Sequence, residues 1–293
     1  MNRHTTKIGL CTDSNAQLPR QLIERFDVEV VPMTVCVDDH EYMEGVDLDV
    51  DDFYAMFTDE HRPVVSTSKP SPGQFALAYE ELASRGCTDI LSIHVSAAVS
   101  GTLNAARLGA RGFDVPVRLV DSGTASFGVV CCVWAAGDAI QRGASLDEAA
   151  SIAETLAPSI GNVFIVRALD LVLAGGRGDR SFGEGTTEGI PVLALRDGQV
   201  QVIERVGSAG DAVKVLAATA AGWGTSVKVA VGVADASSQQ LADSLQCSLR
   251  DHPHVAEVMR YRIGPSVGAH TGPGTTGCFM FPASPAPSTR ATN

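Results

Sequence analysis

Hydroxyl and carboxyl side chains recur where the predicted strands of the N-terminal half end. They follow four such strands and are Thr12, Asp13 and Ser14; Ser66, Thr67, Ser68 and Ser71; Ser96, Ser100 and Thr102; and Asp121, Ser122 and Ser126. Ligands of open parallel sheets bind beyond the carboxyl ends of the strands. Each residue alone also fits a helix N-cap, but their recurrence favours one shared ligand. Neutral hydroxyls near helix N-termini suit an anion such as a carboxylate.

A lone histidine lies in GPSVGAHTGPGTTGCF, residues 264–279, a segment with five glycines and two prolines. This composition predicts an open, flexible segment that leads into a last strand, GCFMFP. From the residues alone, the favoured interpretation of His270 is a hydrogen-bonded histidine in a tight turn.

Common nucleotide-binding motifs are missing from the sequence. It has no GxxxxGK[ST] and no GxGxxG after a strand, which disfavours nucleoside triphosphates and dinucleotides. The GxSxG pattern of hydrolases occurs once, as GPSVG at residues 264–268. Because the chain also has seven histidines, a Ser–His pair stays open as an alternative. His252 and His254 flank a proline near a helix end, and we expect them to be solvated rather than metal-bound.

The charge balance limits the choice of partners. The chain of 293 residues has 34 acidic and 22 basic residues and a net charge of −12, so nucleic acid and anionic membranes would repel it. We expect no nucleic-acid partner and at most transient membrane contact. The sequence lacks an apolar signal core and a membrane-length apolar run, and its seven cysteines form no CxxC pair. These features predict a cytoplasmic protein with buried thiols.

The order of apolar runs predicts an α/β protein of two domains. Residues 1–161 alternate strands and helices, as in a parallel sheet covered on both faces. Within them, VEVVPMTVCVDD (residues 28–39) reads as one strand. Residues 162–282 read as an α+β domain with a hairpin at Asp197-Gly198, and the Pro/Ser/Thr-rich residues 283–293 as a disordered tail.

Eight segments in register resemble the DegV family of bacterial fatty-acid-binding proteins over residues 7–282. They are CTDSNAQLP, VEVVPMTV with EYMEGVDLD, STSKPSPGQF, SIHVSAAVSGTLNAA, RLVDSGTASFG, LDLVLAGGRG, GIPVLALRDGQV and GPSVGAHTGPGTTG. The resemblance implies a two-domain DegV-like fold with a long-chain fatty acid in an apolar tunnel. It implies no other cofactor, no metal and no catalysis by the chain itself. A partner fatty acid kinase would phosphorylate the presented carboxylate.

The resemblance also implies ligand residues, carried over motif by motif. The carboxylate ligands would be Thr67, Ser68, Ser96, Ser100 and His270. The glycines around His270 would then let the backbone approach the ligand, and His270 would hydrogen-bond the carboxylate or the incoming phosphate.

Two further positions concern the partner. Arg177, in the GGR motif, would lie at the mouth of the tunnel, and Arg205 would contact the kinase. Departures from the family pattern lie nearby, since GRGDRSFGEGTTEG is glycine-rich and acidic, and glycines stand at 207 and 210 where basic residues are expected. The docking surface is therefore less well matched than the lipid site.

Candidate apolar walls of the tunnel are the helix around residues 129–134 and the segment 169–173, unless these are ordinary core. The leading hypothesis is a fatty acid carrier. The alternatives are a serine hydrolase of acyl esters with a Ser–His pair, such as Ser100 with His270, and a binding module for another small carboxylate.

Overall fold

Three β-sheets organise the part of the chain that the computed structural model describes, residues 6–176, 178 and 188–283. The strands are β1 (Ile8–Asp13), β2 (Glu29–Val31), β3 (Thr34–Val37), β4 (His40–Met43), β5 (Val65–Ser68), β6 (Asp89–His94), β7 (Val117–Asp121), β8 (Gly161–Ile165), β9 (Ile190–Arg196), β10 (Gln199–Val206), β11 (Val227–Val233), β12 (Val255–Arg262) and β13 (Thr276–Pro282).

The α-helices connect and cover these strands. They are α1 (Arg20–Phe26), α2 (Val50–Ala55), α3 (Pro72–Ser84), α4 (Thr102–Gly109), α5 (Phe127–Gln141), α6 (Leu146–Leu156), α7 (Leu169–Ala174), α8 (Ala209–Ala221), α9 (Gln239–Arg250) and α10 (Pro265–Thr271). No helix among the described residues is long and apolar enough to cross a membrane.

The first sheet is parallel, with strand order β2-β1-β6-β7. Its central strands are buried on both faces because helices cover both sides. Leu10 of β1 packs in the core that includes α5 and α6, whereas the next residue, Cys11, packs against α3 and α4. The predicted parallel α/β arrangement of the N-terminal half is therefore confirmed. All four strands end at one edge of this sheet.

The second sheet has six strands in the order β10-β9-β8-β13-β11-β12 and is mainly antiparallel. The predicted hairpin joins β9 to β10, and Asp197 and Gly198 have the positive φ angles of 50° and 77° that such a turn requires. Helices α8 and α9 cover one face. The other face meets α5, where the rings of Phe127 and Tyr261 lie 4.8 Å apart. A continuous core thus joins the two large sheets, and the division at residue 162 stays a prediction.

The single strand predicted for residues 28–39 is wrong. The chain divides there into β2, at the edge of the parallel sheet, and β3, the middle strand of a small sheet β4-β3-β5. Pro32 lacks the N–H that a continuous strand would use. The N–H of the next residue, Met33, donates to Ser14 Oγ instead of to a neighbouring strand. The small sheet therefore starts in a new direction, and β5 is brought to the edge of the parallel sheet.

A chain of hydrogen bonds between side chains fixes the ends of β1 and β6. Asp13 Oδ2 lies 2.9 Å from His94 Nδ1, and His94 Nε2 lies 2.6 Å from Ser92 Oγ. Ser92 Oγ is 3.0 Å from Tyr79 Oη. The Asp13 and His94 side chains are completely buried. Removing one partner would leave the other polar group buried without compensation.

We predict that His94→Ala lowers the free energy of unfolding by about 3 kcal/mol or more, because Asp13 loses its buried partner. The matched control is His61→Ala, which removes a surface pair with Asp38 whose side chains are 59% and 42% exposed. That change should lower stability by at most about 1 kcal/mol. Urea unfolding followed by circular dichroism measures both, and equal losses would contradict the assignment.

A buried carboxyl joins the parallel sheet to the C-terminal segment. Glu44, after β4, is 6% exposed; it accepts a hydrogen bond from Ser14 Oγ and another from Ser266 N at 2.8 Å. Burial raises the pKa of Glu44 to about 7, and the hydrogen bonds from Ser14 and Ser266 only partly oppose this. The folded protein therefore holds the Glu44 proton more tightly than the unfolded chain does.

We predict a pH-dependent stability from this group. Its stabilising protonation is complete below the ordinary pKa of 4.5 and is lost as the pH rises through about 7. The shift corresponds to a loss on the order of 3 kcal/mol. Between pH 5 and pH 8, the free energy of unfolding of the wild type should fall more than that of Glu44→Gln, and the difference should be about that amount. Urea unfolding at the two pH values measures it. Glu41→Gln, an exposed change on β4, is the control, and a Glu44→Gln profile parallel to the wild type would contradict the prediction.

Candidate functional site

A cavity of about 430 Å³ lies between the carboxyl-end edge of the parallel sheet and the inner face of the six-stranded sheet. This volume is within the range of roughly 300–1,000 Å³ that small-molecule sites have. Lining residues come from β10, β9, β8, β13 and β12, which span roughly 24 Å at the usual strand spacing. The cavity is therefore elongated across the strands of the sheet.

Most of the cavity wall is apolar. The apolar lining includes Val99, Val163, Phe164, Leu195, Ile263 and Phe279. The two apolar walls predicted from the sequence lie elsewhere. Residues 129–133 are buried in the core around α5, and residues 169–173 form most of α7, whose Val172 packs in another buried cluster. Neither segment lines the cavity.

Polar side chains gather at one part of the wall. Thr67, Ser68, Ser100 and His270 all line the cavity, although they come from distant parts of the sequence. Thr67 Oγ1 lies 2.9 Å from His270 Nε2. Ser100 Oγ lies 2.8 Å from Thr102 Oγ1 and accepts a hydrogen bond from Thr102 N at 3.3 Å. The arrangement offers neutral hydroxyl and imidazole groups on the wall of a mainly apolar space.

Strand β5 and helix α3 position the hydroxyls of the STSKPS segment. Thr67 is half-buried in β5, which pairs with β3 in antiparallel register. Three residues after the end of the strand, Ser71 caps α3 by accepting from Gln74 N, while the Gln74 side chain accepts from Ser71 N. This capping box fixes the start of α3, so the intervening chain has little freedom.

The segment around His270 is a helix rather than the flexible frame that its glycines predict. Helix α10 begins at Pro265, after the N-cap Gly264, and ends at Thr271, before Gly272, which has a φ of 74°. Its glycines allow close packing, since a Cβ at Gly268 would lie 2.6 Å from Tyr54 Oη. A Cβ at Gly175, after α7, would lie 2.8 Å from His270 Nδ1. Neighbouring elements thus enclose His270 closely.

Two of the residues expected from the family, Ser96 and Arg205, do not line the cavity. Ser96 is buried, does not line the cavity, and accepts a hydrogen bond from Ala98 N at 3.2 Å, so it shapes the loop before Ser100. Arg205 is half-buried on β10 and does not line the cavity. Arg177 lies outside the described residues.

Several polar lining residues are additional to the carboxylate ligands carried over from the family. Asn15, Ser126 and Ser266 form one group: Asn15 Oδ1 accepts from Ser126 N at 3.0 Å, and its Nδ2 donates to Ser266 Oγ at 3.3 Å. Lys69 is another, directly after the serine already considered. The signal for Asn15 was its place in CTDSN, one residue beyond the hydroxyl cluster that follows β1.

The serine hydrolase alternative requires a serine and a histidine that are hydrogen-bonded to each other at the cavity. Ser92, His94 and Asp13 are linked in the order of a catalytic triad, but all three are fully buried and none lines the cavity. The hydrogen-bond partner of Ser100 Oγ is Thr102. The described residues also contain no group of three or more acidic, histidine or cysteine side chains able to hold a metal ion.

A second cavity, of about 570 Å³, adjoins the first at Tyr261, which lines both. Its wall includes Glu44, Gln17 and Arg262 together with apolar side chains such as Leu18 and Ile23. Arg262 is paired with Asp51 there. This space has a mixed polar wall, unlike the apolar wall of the first cavity.

Comparisons with known proteins agree on one family. The model of the uncharacterised DegV family matches residues 7–283. A DegV domain-containing protein of Streptomyces coelicolor is 35% identical over 284 residues, which cover 96% of this chain and 99% of the relative.

Solved structures share the fold. The structure of a DegV family protein from Thermus thermophilus, described as binding fatty acid, has a TM-score of 0.84 and 28% identity, and covers 94% of this chain and 100% of its own. DegV from Bacillus subtilis, described as a fatty acid binding protein, has a TM-score of 0.83 at 24% identity and covers 94% and 99%. The predicted DegV-like α/β fold is confirmed. This chain belongs to the DegV family.

Proposed function

We propose that this protein binds a long-chain fatty acid, with the acyl chain in the apolar cavity and the carboxylate at the Thr67–His270 pair. The observation that carries the proposal is a mainly apolar cavity whose wall includes a hydroxyl–imidazole hydrogen bond. The fatty-acid binding described for the Thermus thermophilus relative, at 28% identity, supports it. In this role the chain itself is a carrier and catalyses no reaction.

The polar groups suit a carboxylate. When His270 carries its proton on Nε2, the imidazole donates to Thr67 Oγ1, and the Thr67 hydroxyl proton is then directed to the ligand. A carboxylate accepts such hydrogen bonds, which are stronger than those between neutral groups. Ser68 and Ser100, on the same wall, add further hydroxyl donors. The head group is thereby oriented without a buried ion pair.

The apolar wall supplies most of the affinity. Burying each methylene contributes about 0.8 kcal/mol, so a chain of about sixteen carbons offers on the order of 10 kcal/mol before the entropic cost of binding. A short or polar carboxylate would leave this wall unfilled. The length of the cavity therefore favours a fatty acid over another small carboxylate, which is the alternative from the sequence.

A carrier fits the geometry better than a serine hydrolase does. A nucleophilic serine needs a base within hydrogen-bond reach and access to the substrate. Ser100 is bonded to Thr102, and the linked Ser92–His94 pair is buried away from the cavity. The pair that faces the cavity combines His270 with a threonine.

We further propose that the bound carboxylate is presented to a fatty acid kinase. Ser68 and Lys69 line the cavity and are exposed, so this part of the wall reaches the surface of the protein. Arg205, on the edge strand β10, remains a candidate contact for the partner.

We predict that Thr67→Val weakens palmitate binding about five- to tenfold, because one hydrogen bond to a charged group is lost. His270→Ala should weaken it to a similar extent. Isothermal titration calorimetry of delipidated protein measures both. Ser66→Ala, which removes an exposed hydroxyl of β5 that does not line the cavity, is the matched control. Unchanged affinity in Thr67→Val and His270→Ala would refute the placement of the carboxylate.

The variant Ser96→Ala tests whether Ser96 binds the carboxylate, as the family motif implies, or only shapes the loop before Ser100, as the cavity lining indicates. Because Ser96 does not line the cavity, we expect a change of less than about twofold in palmitate affinity. A loss as large as that of Thr67→Val would assign Ser96 a ligand role after all.

For the kinase, we predict that the palmitate-loaded protein yields palmitoyl phosphate when incubated with a bacterial fatty acid kinase and ATP. Hydroxylamine trapping measures the product. Arg205→Ala should slow its formation while palmitate affinity stays unchanged, since Arg205 does not line the cavity. Wild-type protein that binds palmitate but gives no product with the kinase would contradict presentation while leaving lipid binding intact.

A further inference from the structure

Lys69 contributes a positive charge to the cavity that the proposed carboxylate would occupy. Among the described residues that line this cavity, it is the only lysine, and there is no arginine, aspartate or glutamate. Its ammonium forms no ion pair within the described part of the chain, whereas Lys214 and Lys228 are each paired with a carboxylate. The Lys69 ammonium is therefore a positive charge at the cavity wall with which no carboxylate of the described residues pairs.

The backbone around Lys69 fixes where its side chain starts. Lys69 directly follows β5 and precedes Pro70, which restricts it to an extended conformation. Pro70 is buried, and Ser71 then caps α3. The residue is thus anchored on both sides although its side chain is exposed.

The side chain extends toward the second hydroxyl segment. A Cβ built at Gly101 would lie 2.8 Å from Lys69 Cδ and 3.9 Å from Lys69 Nζ. The lysine stem therefore crosses directly over Gly101, the residue after Ser100. This crossing brings the ammonium to the part of the wall where Thr67, Ser68 and Ser100 line the cavity.

A cation at this place has an electrostatic consequence. The chain carries a net charge of −12, so its overall field opposes the approach of a fatty-acid anion. Hydroxyl groups can orient a carboxylate, but they do not offset that repulsion. An ammonium beside the hydroxyls attracts the ionised head group and distinguishes it from an uncharged one.

We propose that Lys69 pairs with the carboxylate of the bound lipid and makes the site selective for an ionised head group. This inference rests on the proposed function. Lys69 is a specificity-determining residue: it contributes to the binding of a fatty acid and contributes nothing to the binding of a fatty alcohol of equal length.

The test compares palmitate with 1-hexadecanol in competition against a fluorescent fatty acid bound to delipidated protein. Lys69→Met keeps the stem and removes the charge. It should weaken palmitate binding about three- to fivefold, the effect of an exposed ion pair, and change hexadecanol binding by less than about twofold. Lys69→Arg should retain palmitate affinity. The affinity of the wild type for palmitate should also fall more with added salt than that of Lys69→Met.

Lys214→Met is the matched control, because it changes the net charge equally at an exposed site on α8 away from the cavity. It should leave both affinities unchanged. Equal weakening of palmitate and hexadecanol by Lys69→Met, or no weakening of either, would overturn the role of Lys69 and leave the carrier proposal standing. Failure of the wild type to bind palmitate at all would overturn both.

Discussion

The carboxyl of Glu44 connects Ser14, at the end of β1, to the first turn of α10 at Ser266, and the candidate site depends on that connection. Helix α10 has only seven residues, so fixing its first turn also sets the position of His270 near its end. His270 meets Thr67 because α10 packs directly against β5. Burying a carboxyl costs free energy, and the raised pKa of Glu44 reflects that cost.

Close backbone packing is the second requirement of this arrangement. Glycines at 268 and 272 let α10 lie against Tyr54 and Ala168 at distances that a Cβ would prevent. The same packing leaves a space between the two large sheets that helices do not fill. Because that space crosses several strands of the six-stranded sheet, residues of those strands form much of its mainly apolar wall. A mainly apolar cavity with hydroxyl groups on its wall is thus a consequence of how the sheets meet around α10.

The features that the sequence predicted well are those set by local pattern. Alternating strands and helices predicted the parallel sheet, and Asp197-Gly198 predicted the hairpin, because these signals act over a few residues. The strand-end rule also placed Ser100, after β6, at the cavity. It was wrong for Thr67 and Ser68, which reach the cavity from within β5 of the small antiparallel sheet. Eight motifs in register were enough to identify the DegV family.

The features that it missed depend on tertiary contacts. The break at Pro32 moves β3 into another sheet because Met33 bonds to Ser14, a partner that no local pattern reveals. Glycine content predicted an open segment where packing stabilises a helix. Ser96 matches the family motif, yet its hydroxyl turns to the Ala98 backbone, and Lys69 reaches the cavity only by crossing Gly101. Side-chain direction at a strand end is decided by the loops that meet there.

The most direct measurement is a crystal structure of the delipidated protein soaked with palmitate. We expect continuous density for the acyl chain in the cavity beside Phe164, Leu195 and Ile263, with a carboxylate oxygen within hydrogen-bond distance of Thr67 Oγ1 or His270 Nε2. A carboxylate at the opposite end of the cavity, or an acyl chain in the space lined by Glu44 and Arg262, would contradict it.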